Sequence, residues 1–127
     1  MIPRYRAWDG SSLCRMYSPE EVWVCDGGIW VIDEDSWDGE LILNNDLNLM
    51  QSTGLTDKNG KEIFEGDIVK MAKNVYSEPT YYEIVRHRGG AYRLESKQYG
   101  CELWLRHTDC EIAGSIYENP ELLEVSS

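Results

Sequence analysis

Three glycines within one stretch, Gly54, Gly60 and Gly66, divide Leu49–Lys70 into short runs and set two turns and a strand start at fixed offsets. Ile63, Ile68 and Val69 read as core, Asp67 is placed to accept nearby backbone amides, and Ile68-Val69-Lys70-Met71 reads as a strand. Every distinctive residue type here has a structural job. The segment is not a phosphate-binding Walker loop: Gly54 to Gly60-Lys61 is one residue too long, and Glu62 stands where the magnesium-binding Ser or Thr belongs.

Short strands separated by turn residues continue on both sides. Arg4 to Trp8 alternates polar and apolar ahead of Asp9-Gly10, a type I′ hairpin signal, and Asp26-Gly27 separates Glu21–Cys25 from Gly28–Ile32 in the same way. The N-terminal third thus reads as a meander. Leu41-Ile42-Leu43 is ambiguous between strand and short helix, and Asn44-Asn45-Asp46 favours a loop or left-handed positions. Farther on, Tyr81–Arg86, Ala91–Leu94 and Leu103–Arg106 read as strands, with Gly89-Gly90 as the tightest hairpin and Ile112–Ile116 closing the sheet. The expected fold is mainly β: a small SH3-like barrel over residues 51–127 with a β-rich extension, residues 1–50, packed on it. Asn119-Pro120-Glu121 starts a short C-terminal helical turn that Leu122 and Leu123 anchor.

Three ordered motifs, Tyr5-Arg6-Ala7-Trp8-Asp9, the Leu49–Lys70 stretch and Ile112-Ala113-Gly114-Ser115-Ile116 with Asn119-Pro120-Glu121, give the chain its family character. Through them it resembles the YopX family of phage and prophage proteins from Arg6 to Glu124. The resemblance implies a barrel fold and a phage context, and it brings no assigned activity or site. Ser11 to Asn48 and Lys73 to Glu78 carry little of the pattern.

Charge narrows the function classes. The formal charge is −11, and residues 1–50 hold ten acidic and three basic side chains, whereas Lys58 to Arg106 holds nine basic and seven acidic ones. Such acidity argues against duplex-DNA binding, which depends on cationic side chains neutralising phosphates; it permits a basic partner, and solubility alone accounts for it without one. No apolar run of about 18 residues and no leader pattern occurs, so the expected location is the bacterial cytoplasm, with no membrane partner. Cys14, Cys25, Cys101 and Cys110 are then expected as reduced thiols.

Four constellations carry residue types suited to chemistry or binding. Cys101, His107 and Cys110 carry metal-ligating atoms but lack zinc-knuckle spacing and a fourth ligand, and buried apolar thiols account for the cysteines. Asp33-Glu34-Asp35 and Asp38-Gly39-Glu40 offer carboxylates on loops, without the rigid cleft that a hydrolase needs. Trp23, Trp30 and Trp37 read as core packing. Arg86, Arg88, Tyr92, Arg93, Trp104 and Arg106, with His87, Lys97 and Tyr99, form the one basic and aromatic cluster, a candidate binding face if neighbouring strands bring it together. The alternative is an ordinary solvated sheet face with Trp104 in the core.

The resulting expectation is a non-enzymatic protein-interaction module of a phage or prophage, with no cofactor, no metal and no catalytic residues. Its partner is an unidentified host or phage protein or a second copy of the chain. The alternatives are a single-stranded nucleic-acid binder using the Arg86 to Arg106 face, which is not favoured, and an acidic DNA-mimic decoy of a host protein built on Asp33, Glu34, Asp35 and Asp38.

Overall fold

Turn chemistry sets several strand boundaries as the sequence predicts. In the computed structural model, which describes residues 4–11, 14–32, 38–72, 76, 78–87, 90–96 and 100–125, Asp26 (φ 50) and Gly27 (φ 74) join β3 (Val22–Cys25) to β4 (Gly28–Ile32) by a two-residue turn. Asp9-Gly10 behaves differently. β1 (Tyr5–Asp9) pairs with β2 (Arg15–Tyr17) in the register Asp9↔Arg15, so the loop exceeds two residues. The buried Asp9 carboxylate accepts the Ser11 N–H at 2.9 Å in place of a type I′ turn.

Three antiparallel sheets carry the fold, and the chain divides into two units, Met1–Gln51 and Ser52–Ser127. In the first unit β1 lies between β2 and the first half of β6 (Asn48–Thr56). A separate sheet runs in the order β3-β4-β5, with β5 at Leu41–Leu43. The N-terminal third is therefore two sheets and not one meander, because β1 takes its second partner from β6. Leu41-Ile42-Leu43, ambiguous in sequence, is a strand. Ala7, Tyr17, Val22, Val31 and Leu47 form this unit's buried core, with Ile29 and Leu49 against it.

In the second unit the latter half of β6 pairs with β7 (Glu62–Phe64). Gly54 (φ 78) lies within β6, where the register slips between Ser52↔Phe64 and Thr56↔Glu62, so this glycine serves a bulge and not the expected turn. Gly60 does turn the chain, with the Asp57 N–H donating to Lys61 O at 2.8 Å. β8 (Asp67–Met71), β9 (Thr80–Arg86), β10 (Tyr92–Glu95) and β11 (Gly100–Glu102) follow, and β12 (Glu111–Ser115) returns to pair with β8. The order β11-β10-β9-β8-β12 curls as a half-barrel. The β9–β10 connection closes by a His87 N–H bond to Ala91 O at 2.8 Å, with Gly90 at φ 87, so it is longer than the Asp26-Gly27 turn that was expected to be the looser of the two. Gly89 lies outside the described residues.

Leu103–Arg106 is a helical turn, α1, and not the expected strand. A strand would bury Leu103 and Leu105 together, but only Leu103 reaches the core, while Trp104 and Leu105 face out. The second unit's core comprises Ile63, Val69, Met71, Tyr82, Ile84, Leu94, Leu103 and Cys110. At roughly 1.5–3 kcal/mol for each large apolar side chain removed from water, this cluster is a principal source of the unit's stability.

Two buried carboxylates fix backbone that the sheets leave unpaired. Asp57 Oδ1 accepts the N–H groups of Asn59 and Lys61, each at 2.9 Å, and its Oδ2 accepts the Ile112 N–H at 3.0 Å, tying the β6–β7 hairpin to β12. Burial pushes this carboxyl's pKa up, but the three donors together outweigh it and hold it below the ordinary aspartate range. Asp67 Oδ2 accepts the Phe64 N–H at 2.7 Å, the amide role its sequence position predicts. At the C-terminus α2 (Glu121–Val125) lies against β9. The Asn119 side chain turns back to the Ser115 N–H, and a Cβ on Gly114 would come within 2.3 Å of Asn119 Oδ1.

Candidate protein-binding face

Continuous apolar runs build the β3-β4-β5 sheet, and strand alternation divides them between two faces. Val22, Val31 and Ile29 turn to the first unit's core. On the opposite face Trp23, Trp30 and Leu43 stand in register across all three strands, with Ile32 and Leu41 forming a second row. Three of these side chains stay open, Trp23 at 42% exposed, Leu41 at 46% and Leu43 at 52%, while Trp30 and Ile32 are half-buried and Val24 and Ile42 on the other face are 43% and 41% exposed. A monomeric soluble domain covers most such contiguous apolar surface, and one that stays open marks an interaction surface.

Leu43 lies over Gly28: a Cβ there would come within 2.5 Å of Leu43 Cδ1 and would push the end of that side chain aside. Trp30 Nε1, beside the same glycine, is a buried donor with no acceptor among the described residues. Such a donor costs about 1–3 kcal/mol.

The surroundings carry one sign of charge. From Met16 to Gln51 the sequence has nine acidic side chains and no basic one. Asp26 lies at the β3–β4 turn, Asp38 and Glu40 lead into β5, and Asp46 follows it. The unit's cations belong to its other sheet, where Arg4 pairs with Glu20 and Arg15 with Glu21 and the Tyr17 ring. Asp33, Glu34, Asp35 and Trp37 lie outside the described residues.

The basic and aromatic cluster read from sequence is distributed over different surfaces. Arg86 and Tyr92 are cross-strand partners at the end of the β9–β10 hairpin. Arg93 is on the opposite face of β10, bound to Glu95 at 3.2 Å and Glu102 at 2.6 Å. Beside them Glu83 has its carboxyl pushed above the usual range, first by burial and then by Glu95. Arg106 bonds Asp109 at 2.9 Å and Ala72 O at 3.0 Å. Trp104, 64% exposed on α1, is not a core residue. Arg88, Lys97 and Tyr99 lie outside the described residues.

Cys101, His107 and Cys110 are engaged separately. His107 Nδ1 donates to Thr56 O at 2.7 Å, which fixes its proton on that nitrogen, while the Cys110 thiol lies in the core against Arg106 O and Met71 Sδ. Burial pushes the Cys110 pKa up to about 12, opposite to what a nucleophile or metal ligand needs. Among the described residues no three His, Cys, Asp or Glu side chains converge as a metal site. A shallow cleft of about 280 Å³ in the second unit is lined by Lys58, Lys70, Met71, Pro79, Asp109 and Glu111, and Lys58 meets Glu111 at 3.6 Å across it. No helix of the described residues is long and apolar enough to cross a membrane.

Comparison with known proteins gives a match to the family model described as YopX protein over residues 4–124. Among solved structures the chain is similar to protein EF1440 from Enterococcus faecalis, at 30% identity and a TM-score of 0.64, covering 97% of this chain and 99% of that one. It also shares the fold of protein yopX from Bacillus subtilis, at 23% identity and a TM-score of 0.64, with 94% and 97% covered. No curated protein matches.

Proposed function

The chain belongs to the YopX family, and we propose that it works as a non-enzymatic protein-interaction module in a phage or prophage context, engaging its partner through the outer face of β3, β4 and β5. The observation that carries this reading is that Trp23 and Leu43 stand open to solvent at the two ends of an in-register row that runs through the half-buried Trp30. Aromatic and aliphatic side chains held on a sheet supply large contact area with little ordering cost on binding. The second unit then serves as scaffold. In its five-stranded sheet the last strand in sequence, β12, returns to pair with the first, β8, after a 3-10 turn at His107–Asp109, an order that supports the finer reading of an SH3-like barrel.

The test is affinity capture from lysate of an infected host, with and without nuclease, using the tagged full-length protein and its Trp23→Thr/Leu43→Thr variant. Threonine keeps strand propensity while removing the apolar surface. A stoichiometric protein that survives nuclease and is lost with the variant is the expected result. Equal capture by the variant, or capture that disappears with nuclease, overturns the reading.

A further inference from the structure

Resting on that reading of the face, we propose that its occupant is a cationic, extended polypeptide segment that adds a fourth strand to the outer edge of β5. Three features carry the inference. The first is the free edge: β5 ends the sheet, pairs with β4 on one side, and has no strand on the other among the described residues. Its N–H and C=O groups there form a template for a further strand.

The second is register. Leu41 continues the row begun by Ile32, and Leu43 continues the row Trp23–Trp30. An added strand extends both rows when it places two apolar side chains two residues apart, which is the spacing that strand alternation puts on one face. Trp30, whose indole N–H lacks an acceptor among the described residues, belongs to the longer row.

The third is charge. Glu40 immediately precedes β5 and Asp46 follows its turn, within a stretch of the chain that holds no basic residue. A segment with basic residues on both sides of its apolar pair places cations near both acids, and this complementarity selects the occupant. A second copy of the chain would bring the same acids to the same edge, and nucleic acid or an anionic membrane has the wrong sign. The recognition pattern is therefore basic, apolar, any residue, apolar, basic.

The probe is a capped heptapeptide of sequence Lys-Arg-Val-Ser-Val-Arg-Lys, titrated into the isotope-labelled full chain and followed by amide and indole NMR signals. We expect shifts at the amides of Leu41, Ile42 and Leu43 and at the indole N–H of Trp23 and Trp30. Affinity should fall at least about tenfold when glutamate replaces the basic residues, and at least about tenfold again when the peptide's edge-facing amides are N-methylated. The Glu40→Lys/Asp46→Lys variant should reverse the preference between the two peptides. Equal binding of the acidic peptide, indifference to N-methylation, or concentration-dependent changes at Leu41–Leu43 without peptide, the sign of a second copy, would each overturn the proposal. Peptide silence together with a captured partner that Trp23→Thr/Leu43→Thr abolishes would overturn strand addition and leave the interaction reading standing. Equal capture by that variant would remove the interaction reading itself.

Discussion

The two units of this chain dispose of similar residues in opposite ways. In Ser52–Ser127 aliphatic side chains such as Ile63, Ile84 and Leu94 are fully buried, and two aspartates are buried as acceptors for backbone amides. In Met1–Gln51 the buried core is smaller, while Trp23, Leu41 and Leu43 stay open and Asp26, Asp38, Glu40 and Asp46 lie in turns and loop ends. A side chain already packed inside contributes to stability and has no surface left for a partner. One held half-open on a strand contributes less to stability and is available for binding. On the proposed reading the second unit is the scaffold and the first the recognition surface, and substitutions can break that division.

The largest expected effect is in the second core. Ile84→Ala removes a fully buried side chain from the half-barrel and should cost about 2–5 kcal/mol in urea unfolding, since the space it leaves is closed by neighbouring strands. A cost under about 1 kcal/mol would mean that this core is not the scaffold. Asp57→Asn comes next. Its single remaining acceptor oxygen cannot serve the Asn59, Lys61 and Ile112 amides, and each amide left unpaired costs about 1–3 kcal/mol. The pH dependence has a definite sign. Because the folded pKa of Asp57 is depressed, its stabilisation is present above the unfolded value near ~3.9 and disappears as pH falls through the folded value. Stability measured between pH 6 and pH 2 should therefore fall less steeply at the acid end in Asp57→Asn than in the natural protein. Identical acid limbs would show that the carboxylate is not the keystone its bonds describe.

Local chemistry was the legible part of the sequence. Asp26-Gly27 announced its turn because two adjacent residues carry the whole conformation, and Ile63, Ile68 and Val69 announced the core for similar reasons. Features that depend on distant contacts were not legible. Asp57 reaches Ile112 across 55 positions, and nothing near Asp57 in sequence indicates that bond. Leu103-Trp104-Leu105 is too short an apolar run for periodicity to separate strand from helix, so whether Trp104 belongs to an open face or to the core stays undecided in the sequence. The open sheet was hidden for a related reason. Val22-Trp23-Val24 and Leu41-Ile42-Leu43 are apolar at every position, a pattern that normally means burial on both sides, whereas the structure leaves Trp23, Leu41 and Leu43 open on one face and Val24 and Ile42 partly open on the other.

A smaller effect tests whether the first unit's sheet is as firmly built as its turn suggests. Gly27→Ala forces a side chain into a left-handed conformation (φ 74) with open space around it, so the penalty is backbone strain alone, about 1 kcal/mol by thermal unfolding. A much larger loss would indicate that the β3–β4 hairpin limits the stability of the whole chain, and the scaffold role would have to be shared between the units.

The smallest expected change in stability is the one most diagnostic of the division. Leu43 is 52% exposed, so Leu43→Thr forfeits only part of a side chain's transfer free energy and puts a β-branched residue in a strand. Its cost should be about 0.5 kcal/mol or less, near the range of ordinary surface substitutions, while partner capture is weakened. Leu43 folds over Gly28 close to the Trp30 indole nitrogen, and a polar residue there also opens that buried donor to water, which offsets some of the lost apolar contact. If Leu43→Thr instead destabilised the chain as much as Ile84→Ala, the leucine would be acting as core, the open face would be a structural element of the first unit, and the contrast between scaffold and recognition surface would fail.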